Sequence, residues 1–139
     1  MYRNPIAFLI LTGATIVLAG CASGGSSYSD LDREPESSDA LPAVIAEGND
    51  QIEPETARLL GEYDGVTLWL IRGVENSDLI CLGAMAAEDD WSVSCGGEGG
   101  VLGAAGPGGK SYKVAPDGMP LDEDGATQLT ENVYEVDAL

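Results

Sequence analysis

The chain reads as mainly β, a small antiparallel sheet or partly closed barrel of about six or seven strands, placed after a signal peptide and a disordered acidic linker. Three observations predict this. Asp64-Gly65 separates two apolar runs and supplies the positive φ angles that a two-residue hairpin turn requires. Trp91-Ser92-Val93-Ser94-Cys95 alternates apolar with polar, the period of a strand with one buried face. Short apolar stretches recur between Gly, Pro, Asp and Asn clusters, at roughly the 8–12-residue spacing of small β domains.

The elements follow in chain order. Met1-Tyr2-Arg3-Asn4 carries Arg3, the sole charged side chain before Cys21. Ile6 to Leu18 is an apolar run of about 13 residues, which suits a signal h-region and falls short of the roughly 20 needed to span a bilayer. Leu18-Ala19-Gly20-Cys21 then resembles the bacterial lipobox, an aliphatic residue, two small residues and a cysteine. Residues 1–20 are therefore expected to be a lipoprotein signal peptide, with Cys21 the lipidated N-terminus. Small residues let an extended backbone enter a peptidase cleft, and the thiol accepts a diacylglyceryl group. One acyl chain binds membranes only marginally, so two chains of the palmitate kind make the anchoring stable.

Residues 21–52 are rich in Ser, Gly, Asp, Glu and Pro, without a sustained period of 2 or 3.6. They are expected to be a flexible, self-repelling linker reaching roughly 30 Å by the square-root rule. Within it, Leu41-Pro42-Ala43-Val44-Ile45-Ala46 is a brief apolar island, read as a transient turn.

The β-rich domain is expected over residues 53–139. Glu53-Pro54-Glu55-Thr56 opens on a short helical turn, with Pro54 tolerated in its first positions. Leu59 to Tyr63 and Val66 to Arg72 form the Asp64-Gly65 hairpin, a helix from Pro54 to Leu60 being the rival. Val66 to Ile71 is apolar on both faces, as a central strand should be. Leu79 to Ala86 and Trp91 to Cys95 flank an acidic turn. Val101 to Ala105 and Ser111 to Val114 flank Gly106-Pro107-Gly108-Gly109. The chain closes with Thr127 to Val136, whose Leu129, Val133 and Val136 are candidate inward residues.

Charge and cysteine content narrow the function. The chain of 139 residues has 24 acidic and 6 basic side chains, no histidine and a formal net charge of −18. Such a chain repels nucleic acid, so no nucleic-acid partner is expected. With Cys21 set aside, Cys81 and Cys95 form an even pair in an oxidising compartment. If their strands form a hairpin, Ala86 faces Asp90, Met85 faces Trp91 and Cys81 faces Cys95, close enough for a bridge. Such a loop is worth roughly 3 kcal/mol in the chain-entropy description. Because Cys-x-x-Cys spacing is absent, the bridge is expected to be structural and not redox-active.

Three constellations look like chemistry. Gly106-Pro107-Gly108-Gly109-Lys110-Ser111 echoes a phosphate-binding loop, but Ala104 stands where glycine is needed and a strand follows. Asp122, Asp124, Gly125 and Glu131 match positions 3, 5, 6 and 12 of a calcium loop. Position 1 is Pro120, which has no side-chain oxygen, and an acidic surface turn is the expectation. Glu88-Asp89-Asp90 beside Trp91 could pair carboxylates for glycan hydrolysis, yet acids are frequent enough here to adjoin by chance. Without histidine, and with the cysteines bridged, Ser-His-Asp and Cys-His routes are closed. No catalytic residue, metal site or cofactor is expected.

Arg58 to Leu70, Ile80-Cys81-Leu82, Trp91-Ser92-Val93-Ser94-Cys95-Gly96, Gly106-Pro107, Pro116-Asp117-Gly118 and Glu131-Asn132-Val133 together resemble small uncharacterised lipoproteins of actinobacteria. The resemblance covers roughly Ala57 to Val136 and implies a lipidated surface protein, with no activity and no catalytic residues. The expectation is an envelope lipoprotein on the exported side of the cell membrane. Its domain would be a non-catalytic module binding an envelope protein or glycan. The alternatives are a carboxylate-dependent enzyme acting on cell-wall glycan, or a weak divalent-cation binder.

Overall fold

A tight turn at Asp64-Gly65 sets up the first sheet. Both residues have positive φ, 50° and 79°; glycine adopts this freely and aspartate is among the few others that tolerate it. The turn folds β1 (Arg58–Tyr63) back on β2 (Val66–Arg72), with Tyr63 opposite Val66. The rival helix does not form: Pro54–Thr56 is a single 3-10 turn and the strand begins at Arg58. Next come β3 (Leu79–Ala87) and β4 (Asp90–Gly97), and the sheet order is β1-β2-β3-β4. Met85 faces Trp91 and Cys81 faces Cys95, as counting from the turn predicts. The turn end differs, because Ala87 and not Ala86 faces Asp90. An irregularity between Met85 and Ala87 takes up one residue, as a bulge does, and leaves Glu88-Asp89 as the turn.

The second sheet contains β5 (Leu102–Ala105), β6 (Ser111–Val114), β7 (Ala126–Gln128) and β8 (Val133–Val136), in the order β5-β6-β8-β7. The closing run expected from Thr127 to Val136 is thus two strands, joined by a turn in which the Leu129 and Thr130 amides donate to the Val133 carbonyl. The computed structural model describes residues 26–75 and 77–137, and among these there are eight strands, all paired antiparallel.

The sheets pack face to face, and alternation decides which side chains lie between them. Val66, Leu68 and Leu70 of β2, with Ile80, Leu82 and Ala84 of β3, meet Ala104, Tyr112, Val114 and Val133 of the second sheet. The odd-numbered residues point the other way. Trp69, Ile71 and Cys81, flanked by Met85, Trp91, Val93 and Cys95, form a second apolar layer on the outer face of the first sheet. That face would be wet without a cover.

The cover is the stretch expected as a linker, and here the expectation is corrected. From Ser26 onward residues 26–52 are folded against the sheets; residues 21–25, with Cys21, lie outside the described residues. Tyr28 and Leu31, the latter in the one-turn helix α1 (Ser29–Asp32), enter the core between the sheets. Residues 33–40 run along the edge of β1, where the Leu59 amide donates to the Asp39 carboxylate at 2.7 Å. The apolar island forms α2 (Ala43–Gly48) and puts Ile45, fully buried, onto Trp69, Ile71 and Cys81. At its end Gly48 lies under Trp91, where an added Cβ would stand 2.7 Å from the ring. Burial of about 25 cal/mol per Å² of apolar surface is enough to hold such short pieces, which would not be stable helices alone.

Candidate functional site

Of the residues singled out in the sequence, Cys21 lies outside the described residues, so the site is built from the first residues described, Ser26 onward. These stand at one end of the two-sheet stack. Ser27 accepts from the Asp117 amide at 2.9 Å, and the Tyr28 hydroxyl accepts from the Gly99 amide at 3.0 Å. Asp117 receives the Ser29 hydroxyl at 2.6 Å, the Ser29 amide at 3.0 Å and the Asn132 side-chain amide at 2.8 Å. These donors, the Ser29 hydroxyl first, hold its carboxyl at a pKa of about 2 against the cost of desolvation. Asp30 and Asn132 exchange two hydrogen bonds, amide to side-chain oxygen in each direction, and Thr130 adds a third to Asp30 at 2.6 Å. Asp32 completes the row on the first sheet, paired with Arg72 at 2.7 Å.

A second fastening follows a few residues on. Asp39 is buried, gripped by both terminal nitrogens of Arg33, and also accepts from the Glu36 and Leu59 amides. The Arg33 bonds are the largest cause of its pKa of about 2, with the backbone donors adding to them. Arg58 Nε donates to the Arg33 carbonyl at 3.0 Å, tying this corner to the start of β1. Sequence reading missed Asp30, Asp39, Asp117 and Asn132. Asp30 and Asn132 are partners 102 residues apart and Ser29 and Asp117 are 88 apart, so local pattern carries no sign of them, whereas Asp39 has Arg33 six residues before it.

The remaining candidates fall elsewhere. Cys81 and Cys95 are bridged, with Cα atoms 4.1 Å apart. Cys81 is wholly buried beneath α2, and Cys95 is half-buried. Glu88, Asp89 and Asp90 are exposed at the far end, in the β3–β4 turn. Lys110 of the Gly-rich turn is engaged with Glu135 at 2.6 Å and Asp64 at 3.2 Å, and both contacts raise its pKa. Asp122 and Asp124 are exposed, while Glu123 is paired with Lys113. Among the described residues, no three His, Cys, Asp or Glu side chains converge as a metal-binding group.

An acidic cleft lies on the side where β1 and β7 are the last strands of their sheets. Glu62, Tyr63, Asp64, Thr127, Leu129 and Glu135 line about 430 Å³ there. Asp64 and Glu135 face each other across Lys110, which places an ammonium where a sugar oxygen would need to sit. The Tyr63 hydroxyl donates to the carbonyls of Leu60 at 3.1 Å and Leu129 at 3.3 Å, bracing the two sheets. This arrangement ties a rim together more than it prepares a reaction. Comparison with protein-family models, curated proteins and solved structures finds no match to this chain.

Proposed function

We propose that this chain is an exported lipoprotein, held at the cell membrane by acyl chains on Cys21, and that its two-sheet domain is a non-catalytic binding or interaction module of the envelope. One observation carries the reading: Leu18-Ala19-Gly20-Cys21 directly follows an apolar leader, the order in which a lipidation site is built. A disulfide across β3 and β4 suits an oxidising compartment. The non-catalytic part is supported by the state of the acids. Asp39 and Asp117 are fully engaged as fastenings, and Asp64 and Glu135 share Lys110.

Glycan hydrolysis and divalent-cation binding draw less support. The first must free Asp64 and Glu135 from Lys110, and the second must gather Asp122, Asp124 and Glu131 although Glu123 is held by Lys113. The test is Cys21→Ala in a cell that processes lipoproteins. The unaltered chain should incorporate a labelled fatty acid and partition into detergent, and the variant should do neither. A variant that still matures and partitions like the original overturns the proposal.

A further inference from the structure

We infer that the end of the domain where Ser26 lies is held against the bilayer, with Val74, Val101 and Met119 touching the lipid surface. This rests on lipidation of Cys21 as proposed above and deepens it from an anchor to an orientation.

Length gives the first argument. Four residues lie between Cys21 and Ser26, so the two are five steps apart, a span of at most about 18 Å when fully extended. With residues 27–32 fastened by Asp117, Asn132 and Gly99, no further slack is paid out. A 30-residue leash would let the domain tumble freely. This one holds one particular end within about 18 Å of the lipidated sulfur.

The surface gives the second argument. Val74, Val101 and Met119 are the exposed large hydrophobic residues among those described, at 39%, 44% and 42% exposure. Val74 follows β2, Val101 precedes β5 and Met119 follows β6, so all three belong to the end where Ser26 emerges. Hydrogen bonds link their loops: Glu98 amide to Asp78 carbonyl, Gly99 amide to Tyr28, and Asp117 amide to Ser27 carbonyl. Nothing in the core requires them to be apolar.

The test uses the full-length lipidated chain in phosphatidylcholine–phosphatidylglycerol vesicles with brominated acyl chains, which quench nearby tryptophan. Val101→Trp and Asp89→Trp place a reporter at either end, read against the buried Trp69 and half-buried Trp91. Quenching at position 101 should exceed that at position 89 several-fold. Inserting twenty Gly/Ser residues after Gly25 should bring the two towards equality. Vesicle flotation is measured on the same samples. A chain that floats but shows equal quenching in the short-spacer form overturns the orientation and leaves the anchor standing. A chain that does not float overturns both.

Discussion

The two sheets are held by different means. The first has strands of six to nine residues, is buried on both faces, and carries a disulfide between its last two strands. The second has strands of three and four residues and buries chiefly the face turned to its partner. Long strands with two apolar faces gain stability by area. Short ones need point fastenings, and the Asp30–Asn132–Asp117 network supplies them where β6 ends and β8 begins. The lesson is that residues 26–57 serve both sheets, as an apolar cover for one and a polar clasp for the other.

The cover can be broken most severely. Ile45→Ala should cost about 2–5 kcal/mol, the range for a large buried aliphatic residue, read as a lower urea midpoint. A loss below about 0.5 kcal/mol, as at a surface site, would mean that α2 is not part of the cooperative unit. Replacing Cys81 and Cys95 together by alanine should cost roughly 3 kcal/mol by the loop-closure relation. The loss should appear in urea titration as one cooperative transition if the two sheets unfold together, and as two if they do not.

The clasp is sharpened by acid. Asp39 and Asp117 have folded-state pKa values of about 2, below the usual aspartate value of about 3.9. Depressed carboxylates stabilise fully above their unfolded-state pKa, so this contribution is present above about pH 4 and is lost as the pH falls towards about 2. Asp117→Asn should cost about 1–2 kcal/mol at neutral pH and flatten that acid decline; an unchanged acid profile would remove Asp117 from the clasp. The smallest effect has the opposite sign. The Tyr112 hydroxyl is buried in the second sheet with no partner among the described residues. Tyr112→Phe should therefore raise stability, by about 1 kcal/mol, measured by thermal melting.

What the sequence reveals follows the same division. The first sheet is legible because its signals are local: a turn dipeptide that fixes one hairpin, and a cysteine pair whose register can be counted from the acidic turn. Even there the bulge after Met85 escapes the count, since nothing in Ala86-Ala87 distinguishes a bulged alanine from a paired one. The second sheet is half legible: the Gly106–Gly109 hairpin appears, but the turn splitting β7 from β8 does not, because Leu129-Thr130 carries no Gly or Pro. The cover and clasp are illegible for a different reason. Their helices are four and six residues long, too short to show a period, and Ser29 finds its aspartate 88 residues away. A run rich in Ser, Asp and Glu resembles a linker when the partners of Ser29 and Asp30 are out of sight. Cys21 remains a matter of sequence alone, its setting being outside the described residues.

That separation has a consequence for biogenesis. Ribosomes make Tyr28, Ser29 and Asp30 among the first parts of this domain, yet Asp117, Thr130 and Asn132 are among the last. The opening residues must wait for nearly the whole polypeptide before they can settle, a delay characteristic of contacts distant in sequence. A chain stopped before residue 130 would contain seven of its strands and still leave Asp30 without Thr130 and Asn132.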